Sequence, residues 1–151
     1  MYGSVGECDK VREHLEKSPG IRKEIGDRNG EVSCYLNLGA VYQSVGEYDK
    51  AREHIEKSLA ISKEIVNRNG EAFCYSNFGA VYQSVGEYDK AREHFEKSLA
   101  INKEIGDRYG EATCYLNLGA VYLSVGEKDK GNEHLEIALT INRKSGDKPG
   151  V

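Results

Sequence analysis

Cys34-Tyr35-Leu36-Asn37-Leu38-Gly39-Ala40-Val41-Tyr42-Gln43-Ser44 returns as Cys74 to Ser84 and again as Cys114 to Ser124, forty residues later each time. A period kept without drift means that each copy belongs to one structural unit and holds the same place in it. Cys34, Leu38, Val41, Tyr42 and Val45 recur at spacings of three and four, the mark of one apolar face of an α-helix. This segment is helix A of the unit. Glu31 lies close to its start, where a carboxylate suits the positive end of the helix dipole. Asn69-Gly70 and Tyr109-Gly110 read as the turns before the later copies.

Gly46-Glu47, Gly86-Glu87 and Gly126-Glu127 interrupt the pattern and give a short connection to a second, antiparallel helix. Helix B spans about Tyr48 to Ile65. Its predicted buried stripe is Tyr48, Ala51, Ile55, Leu59, Ile61 and Ile65, opposite a face of Lys50, Glu53, Glu56, Lys57 and Lys63. Gly26 and Gly106 supply helix C-terminal glycines, whereas the second unit writes Val66 there and must cap without one. Gly39 has no Cβ and lies on the apolar side of helix A, so helix B can approach closely, with Ala51 as its small partner.

The sequence divides accordingly into a truncated repeat at 1–30, full repeats at 31–70 and 71–110, and a C-terminal repeat at 111–151. Of the first unit only helix B remains, about Cys8 to Ile25. There Pro19 stands where Leu59 and Leu99 stand, and a kink or break is expected near Ser18-Pro19-Gly20. At the other end Gly131 replaces Ala51 and Ala91, and Ser145 to Val151 is expected to fray. The expected fold is all-α, an α-solenoid of antiparallel helix pairs with about three and a half repeats and roughly seven helices.

Composition narrows the function classes. Among 151 residues, 38% are hydrophobic and 30% charged, with a net charge of −4. The charges are interspersed, which argues against nucleic acid or an anionic membrane as partner, since both need clustered Lys and Arg. No apolar run approaches the ~20 residues of a membrane span, and Met1 leads no signal segment. A cytoplasmic protein is the expectation. Cys34, Cys74 and Cys114 share one repeat position, so neighbours would stand at the spacing of packed helices, too far apart for disulfides. They read as small core fillers. His14, His54, His94 and His134 fall on the polar side of helix B as solvated residues, and their copies are too widely spaced to share a metal. No nucleophile, base and orienting group can be placed together, so no enzyme, metal or cofactor is expected.

These residues resemble the tetratricopeptide repeat family, a helix-turn-helix unit of about 34 residues. In the second unit the family's positions fall on Tyr35, Leu38-Gly39, Tyr42, Ala51, Ile55 and Ser58-Leu59. In the third they fall on Tyr75, Phe78-Gly79, Tyr82, Ala91, Phe95 and Ser98-Leu99, and in the last on Tyr115, Leu118-Gly119, Tyr122, Gly131, Leu135 and Ala138-Leu139. The period is forty instead, and Lys63, Lys103 and Arg143 replace the family's proline. Lys-Glu-Ile-Gly-Asp-Arg-x-Gly resembles the long-repeat subclass of the LGN/Pins adaptors and large animal relatives.

The resemblance implies a superhelix whose A helices line a groove for peptides or partner helices. Carried over, that groove is Ser33, Leu36, Asn37, Ala40, Gln43 and Ser44, then Phe73, Ser76, Asn77, Ala80, Gln83 and Ser84, then Thr113, Leu116, Asn117, Ala120, Leu123 and Ser124. Asn37, Asn77 and Asn117 stand out because an amide both donates to and accepts from a peptide backbone. The groove lacks the Lys and Arg of relatives that grip carboxylates, and Ala40, Ala80 and Ala120 stand where that clamp has an asparagine. A non-enzymatic scaffold binding a protein or peptide is therefore expected. The alternative is a self-associating module, a homo-oligomer formed through the exposed N-terminal repeat.

Overall fold

A computed structural model describes residues 27–146 together with Lys17, Pro19 and Gly20. Among the described residues there are six α-helices: α1 Arg28–Ser44, α2 Tyr48–Glu64, α3 Arg68–Ser84, α4 Tyr88–Ile105, α5 Arg108–Ser124 and α6 Lys128–Gly146. The architecture is that of helical repeats, as expected. Most of the seventh expected helix, about Cys8 to Ile25, falls outside the described residues. Pro19 and Gly20 are helical, with Pro19 buried, while the expected break around them lies in segments outside the described residues, as does most of the C-terminal end expected to fray.

The A helices begin three residues earlier than Glu31, Glu71 and Glu111. The cause is an N-cap that the sequence reading took for a turn. Asp27 Oδ1 accepts from the Gly30 N–H at 2.7 Å, Asn67 Oδ1 from Gly70 at 2.9 Å and Asp107 Oδ1 from Gly110 at 2.9 Å. Each satisfies one of the donors that a helix start leaves free. Asn69-Gly70 and Tyr109-Gly110 therefore lie within helices. Gly70 serves close packing instead of a turn, since a Cβ there would meet Ser62 Oγ at 2.6 Å.

Two compact units are distinguished, residues 1–77 and 78–151. In the first, α1 packs against α2. The turn between them closes in the Schellman pattern: the Glu47 N–H donates to the Tyr42 carbonyl at 2.9 Å, with Gly46 at φ 80°. That left-handed backbone is open to glycine at little cost, which is why the connection needs it. Leu38, Tyr42, Ala51 and Ile55 are buried here. A Cβ on Gly39 would come within 2.8 Å of Ile55, so the close approach is to the Ile55 side chain; the Ala51 carbonyl stands at 3.4 Å.

In the second unit, α4 and α6 each pack against α5. Ala91, Phe95, Leu118 and Val121 form its core, with Tyr82, Tyr88, Leu99 and Tyr122 packed around them. Phe95 packs against Gly79, where an added Cβ would meet the ring at 2.6 to 2.8 Å. The α4 helix ends on Gly106 at φ 73°, and the Asp107 N–H closes the motif on the Asn102 carbonyl at 2.9 Å.

The buried stripe of helix B differs from the expected one. Ser58, Ser62, Ser98 and Asn102 are buried, while Leu59 and Ile65 are only half-buried and Leu139 is exposed. Hydrogen bonding explains part of this. Ser58 Oγ donates to the Val32 carbonyl at 2.9 Å and accepts from the Cys74 thiol at 3.4 Å. Polar groups can be buried at modest cost when bonded in this way.

Candidate functional site: the exposed face of the A helices

None of the eighteen residues assigned to the binding face is buried. On α1 the core side takes Cys34, Leu38 and Tyr42, and the opposite side leaves Ser33, Asn37, Ala40 and Ser44 exposed with Leu36 and Gln43 half-buried. Side chains three, four and seven apart share a face of a helix. On α3 the corresponding side leaves Phe73 and Ser84 exposed with Ser76, Asn77, Ala80 and Gln83 half-buried, and on α5 it leaves Thr113, Leu116, Leu123 and Ser124 exposed with Asn117 and Ala120 half-buried. On α3, Phe73 is 63% exposed; on α5, Leu116 is 42% and Leu123 41% exposed. Large apolar groups held open to water on a helix whose other side is packed can be covered by a partner.

The polar members are not equivalent. The Ser44 hydroxyl donates to the Val41 carbonyl at 2.7 Å, Ser84 to Ala80 at 3.0 Å, Ser124 to Ala120 at 2.9 Å and Thr113 to Tyr109 at 3.1 Å. Their hydrogens are turned back onto their own helices. The side-chain amides of Asn37, Asn77 and Asn117 make no hydrogen bond to other described residues. Their amides remain free to donate to and accept from another chain.

One member of the α5 face was not assigned from the sequence. Tyr109 is 80% exposed and lies one helical turn before Thr113. The stripe at i, i+4 and i+7 extends back to it once Arg108 is recognised as the helix start, and the Asp107 cap is the signal that would have shown this.

The histidines are not solvated as expected. His54, His94 and His134 are half-buried against helix A aromatics instead of solvated. His54 lies 5.0 Å from the Tyr42 ring and 6.1 Å from Tyr35 between centroids. His94 lies 5.1 Å from Tyr82 and 5.4 Å from Phe78, and His134 lies 4.9 Å from Tyr122 and 5.8 Å from Tyr115. Each Nδ1–H donates to the carbonyl four residues back, at 2.7 to 2.8 Å. The rings thus seal the rim of each A–B pair, and the ring contacts hold them inward. His14 lies outside the described residues.

Glu31, Glu71 and Glu111 are also buried, where the sequence suggested only a favourable dipole position. Arg28, Arg68 and Arg108 pair with them at 2.8, 2.9 and 3.0 Å. Arg28 also reaches Glu64 at 2.8 Å, and those two carboxylates, Glu64 first, hold its guanidinium above its ordinary pKa. Cys34, Cys74 and Cys114 are buried free thiols. Burial pushes the Cys74 thiol up, more than the Ser58 and Ser62 hydroxyls offset. An open cleft of about 550 Å³ in the second unit is lined by Lys103, Arg108, Tyr115, Glu133, Ile137 and Ile141 among others. Among the described residues, no group of three His, Cys, Asp or Glu could hold a metal ion, and no helix is long and apolar enough to cross a membrane.

Comparison with solved structures gives the same repeat fold. BtubC (BKLC) from P. vanneervenii superposes with a TM-score of 0.83 at 23% identity, over 97% of this chain and 61% of its own. The apo form of RapI gives 0.82 at 22%, over 93% of this chain and 52% of its own. A Rap protein complexed with competence and sporulation factor gives 0.83 at 20%, over 90% and 38%. The chain thus spans 61% or less of the length of these three structures. No curated protein sequence matches. The tetratricopeptide repeat profile matches residues 1–64 and 70–144. With nearly the whole sequence inside that match and the A–B helix pairs in place, the chain belongs to the tetratricopeptide repeat family.

Proposed function

We propose that the chain is a non-enzymatic interaction scaffold whose A helices bind a peptide or helical segment of a protein partner. The observation that carries this reading is the side of those helices turned away from the core, where the Asn37, Asn77 and Asn117 amides stand with exposed Phe73, Leu116 and Leu123. Packed helices hold these groups before the partner arrives, so little ordering cost falls on the scaffold when it binds. The partner is then a segment whose backbone meets the amides and whose apolar side chains meet the aromatic and leucine positions. The Rap protein solved with competence and sporulation factor supports binding of a second molecule by this fold. On this reading the forty-residue period supports kinship with the long-repeat subclass that the LGN/Pins adaptors represent, and the protein acts in the cytoplasm.

A peptide-library screen of the wild type against the Asn37→Ala, Asn77→Ala, Asn117→Ala triple variant tests this. The triple variant is expected to lose most selected binders, with unchanged thermal unfolding because the three side chains are unbonded and outside the core. Equal binding by both proteins removes the amides from the account. The self-associating reading rests on the N-terminal end, at 1–30, nearly all of it outside the described residues. A concentration-dependent rise in molar mass by light scattering would favour it.

A further inference from the structure

The repeats at 31–70 and 71–110 differ at nine positions, and four of these fall where one repeat passes to the next, among them Ser62 against Asn102 and Val66 against Gly106. At the α4–α5 joint both positions are at ease. Gly106 takes the left-handed backbone at φ 73°. Asn102 Nδ2 donates to Ser98 Oγ at 3.4 Å and to Cys114 Sγ at 3.5 Å, and the Cys114 thiol donates to Ser98 Oγ at 3.4 Å. The buried polar atoms there share a connected set of bonds.

The α2–α3 joint has the same outline and neither device. Val66 is forced to φ 55°, where the Cβ of a branched residue crowds the neighbouring carbonyl. The capping bonds still demand that conformation, since Val66 N–H donates to Lys63 at 3.2 Å and Asn67 N–H to Ser62 at 2.7 Å. Ser62, fully buried, has an Oγ with no hydrogen-bond partner among the protein atoms. It lies near the Cys74 sulfur, a weak acceptor that does not replace water, and the thiol hydrogen is already donated to Ser58. Strain and an unmet hydroxyl are both relieved when the joint separates and water enters.

We propose that the α2–α3 joint is the built-in point of local opening in this chain, and that its opening uncovers the Cys74 thiol while Cys114 at the α4–α5 joint stays covered. Static burial does not separate the two cysteines, which are 0% and 1% exposed. Only the relative stability of the joints does, and local openings of unequal free energy are the rule within folded chains.

The test is alkylation of the full chain by N-ethylmaleimide under native conditions, with the rate at each cysteine read by peptide mass spectrometry. Cys74 is expected to react at least about tenfold faster than Cys114, the scale set by one left-handed non-glycine residue. Val66→Gly should slow Cys74 by about tenfold and leave Cys114 unchanged. The reciprocal Gly106→Val should speed Cys114 towards the Cys74 rate. Equal wild-type rates overturn the proposal. So does a Val66→Gly effect shared by both cysteines, which would mean global unfolding, or a Gly106→Val variant whose Cys114 rate does not change.

Discussion

Gly79 shows how a single missing methyl group sets the distance between helices. The Phe95 ring occupies the volume that any Cβ would need. Gly79→Leu is expected to destabilise the fold by about 1–3 kcal/mol, as overpacking in dense cores does. Thermal unfolding reads this directly, and an unchanged midpoint would contradict the packing. The His134 ring is a second case. Packed 4.9 Å from Tyr122, it should cost roughly 1 kcal/mol when replaced by Ala, through lost ring contacts. A solvated histidine would cost nothing measurable, so denaturant unfolding of His134→Ala decides between the two placements.

The helices themselves were mostly legible before any coordinates. Leu38, Gly39 and Tyr42 announced the packed side of helix A because apolar spacing survives translation into three dimensions with little loss. What stayed hidden was local chemistry that alters boundaries. Asp107 and Gly110 look like turn residues, yet the carboxylate accepting from the Gly110 N–H starts a helix. Removing that acceptor in Asp107→Ala should cost about 1 kcal/mol, whereas Asp107→Asn should cost little because Asn67 performs the same task in the neighbouring repeat. Thermal melts of the two variants check the contrast. Ser58 and Ser98 were hidden for a related reason: a hydroxyl on a helix reads as solvated until a carbonyl or thiol from another helix meets it. The histidines belong with them, since a polar ring with an apolar body can turn either way.

At the scale of the molecule, membership of the family follows from a match that runs through both compact units. The division of labour within each A helix was readable from periodicity: one side is buried in the repeat, and the other, though Leu123 leans on Gly131, has no fully buried member. Which partner covers that free side was not readable, because a partner's chemistry enters the sequence only as neutral amides and a few open apolar groups. The self-association alternative belongs to this scale too. A constant molar mass by light scattering across concentration is the expected result for a scaffold that keeps its binding face for another protein.

The most direct test of that assignment is a contact map. A photo-crosslinking amino acid placed at Ala40, Ala80 or Ala120 should capture a library-selected peptide, while the same group at the exposed helix B positions Glu56, Glu96 or Glu136 should not. Capture from the helix B positions with none from the A helices would contradict the central claim that the free face of the A helices is where this protein binds.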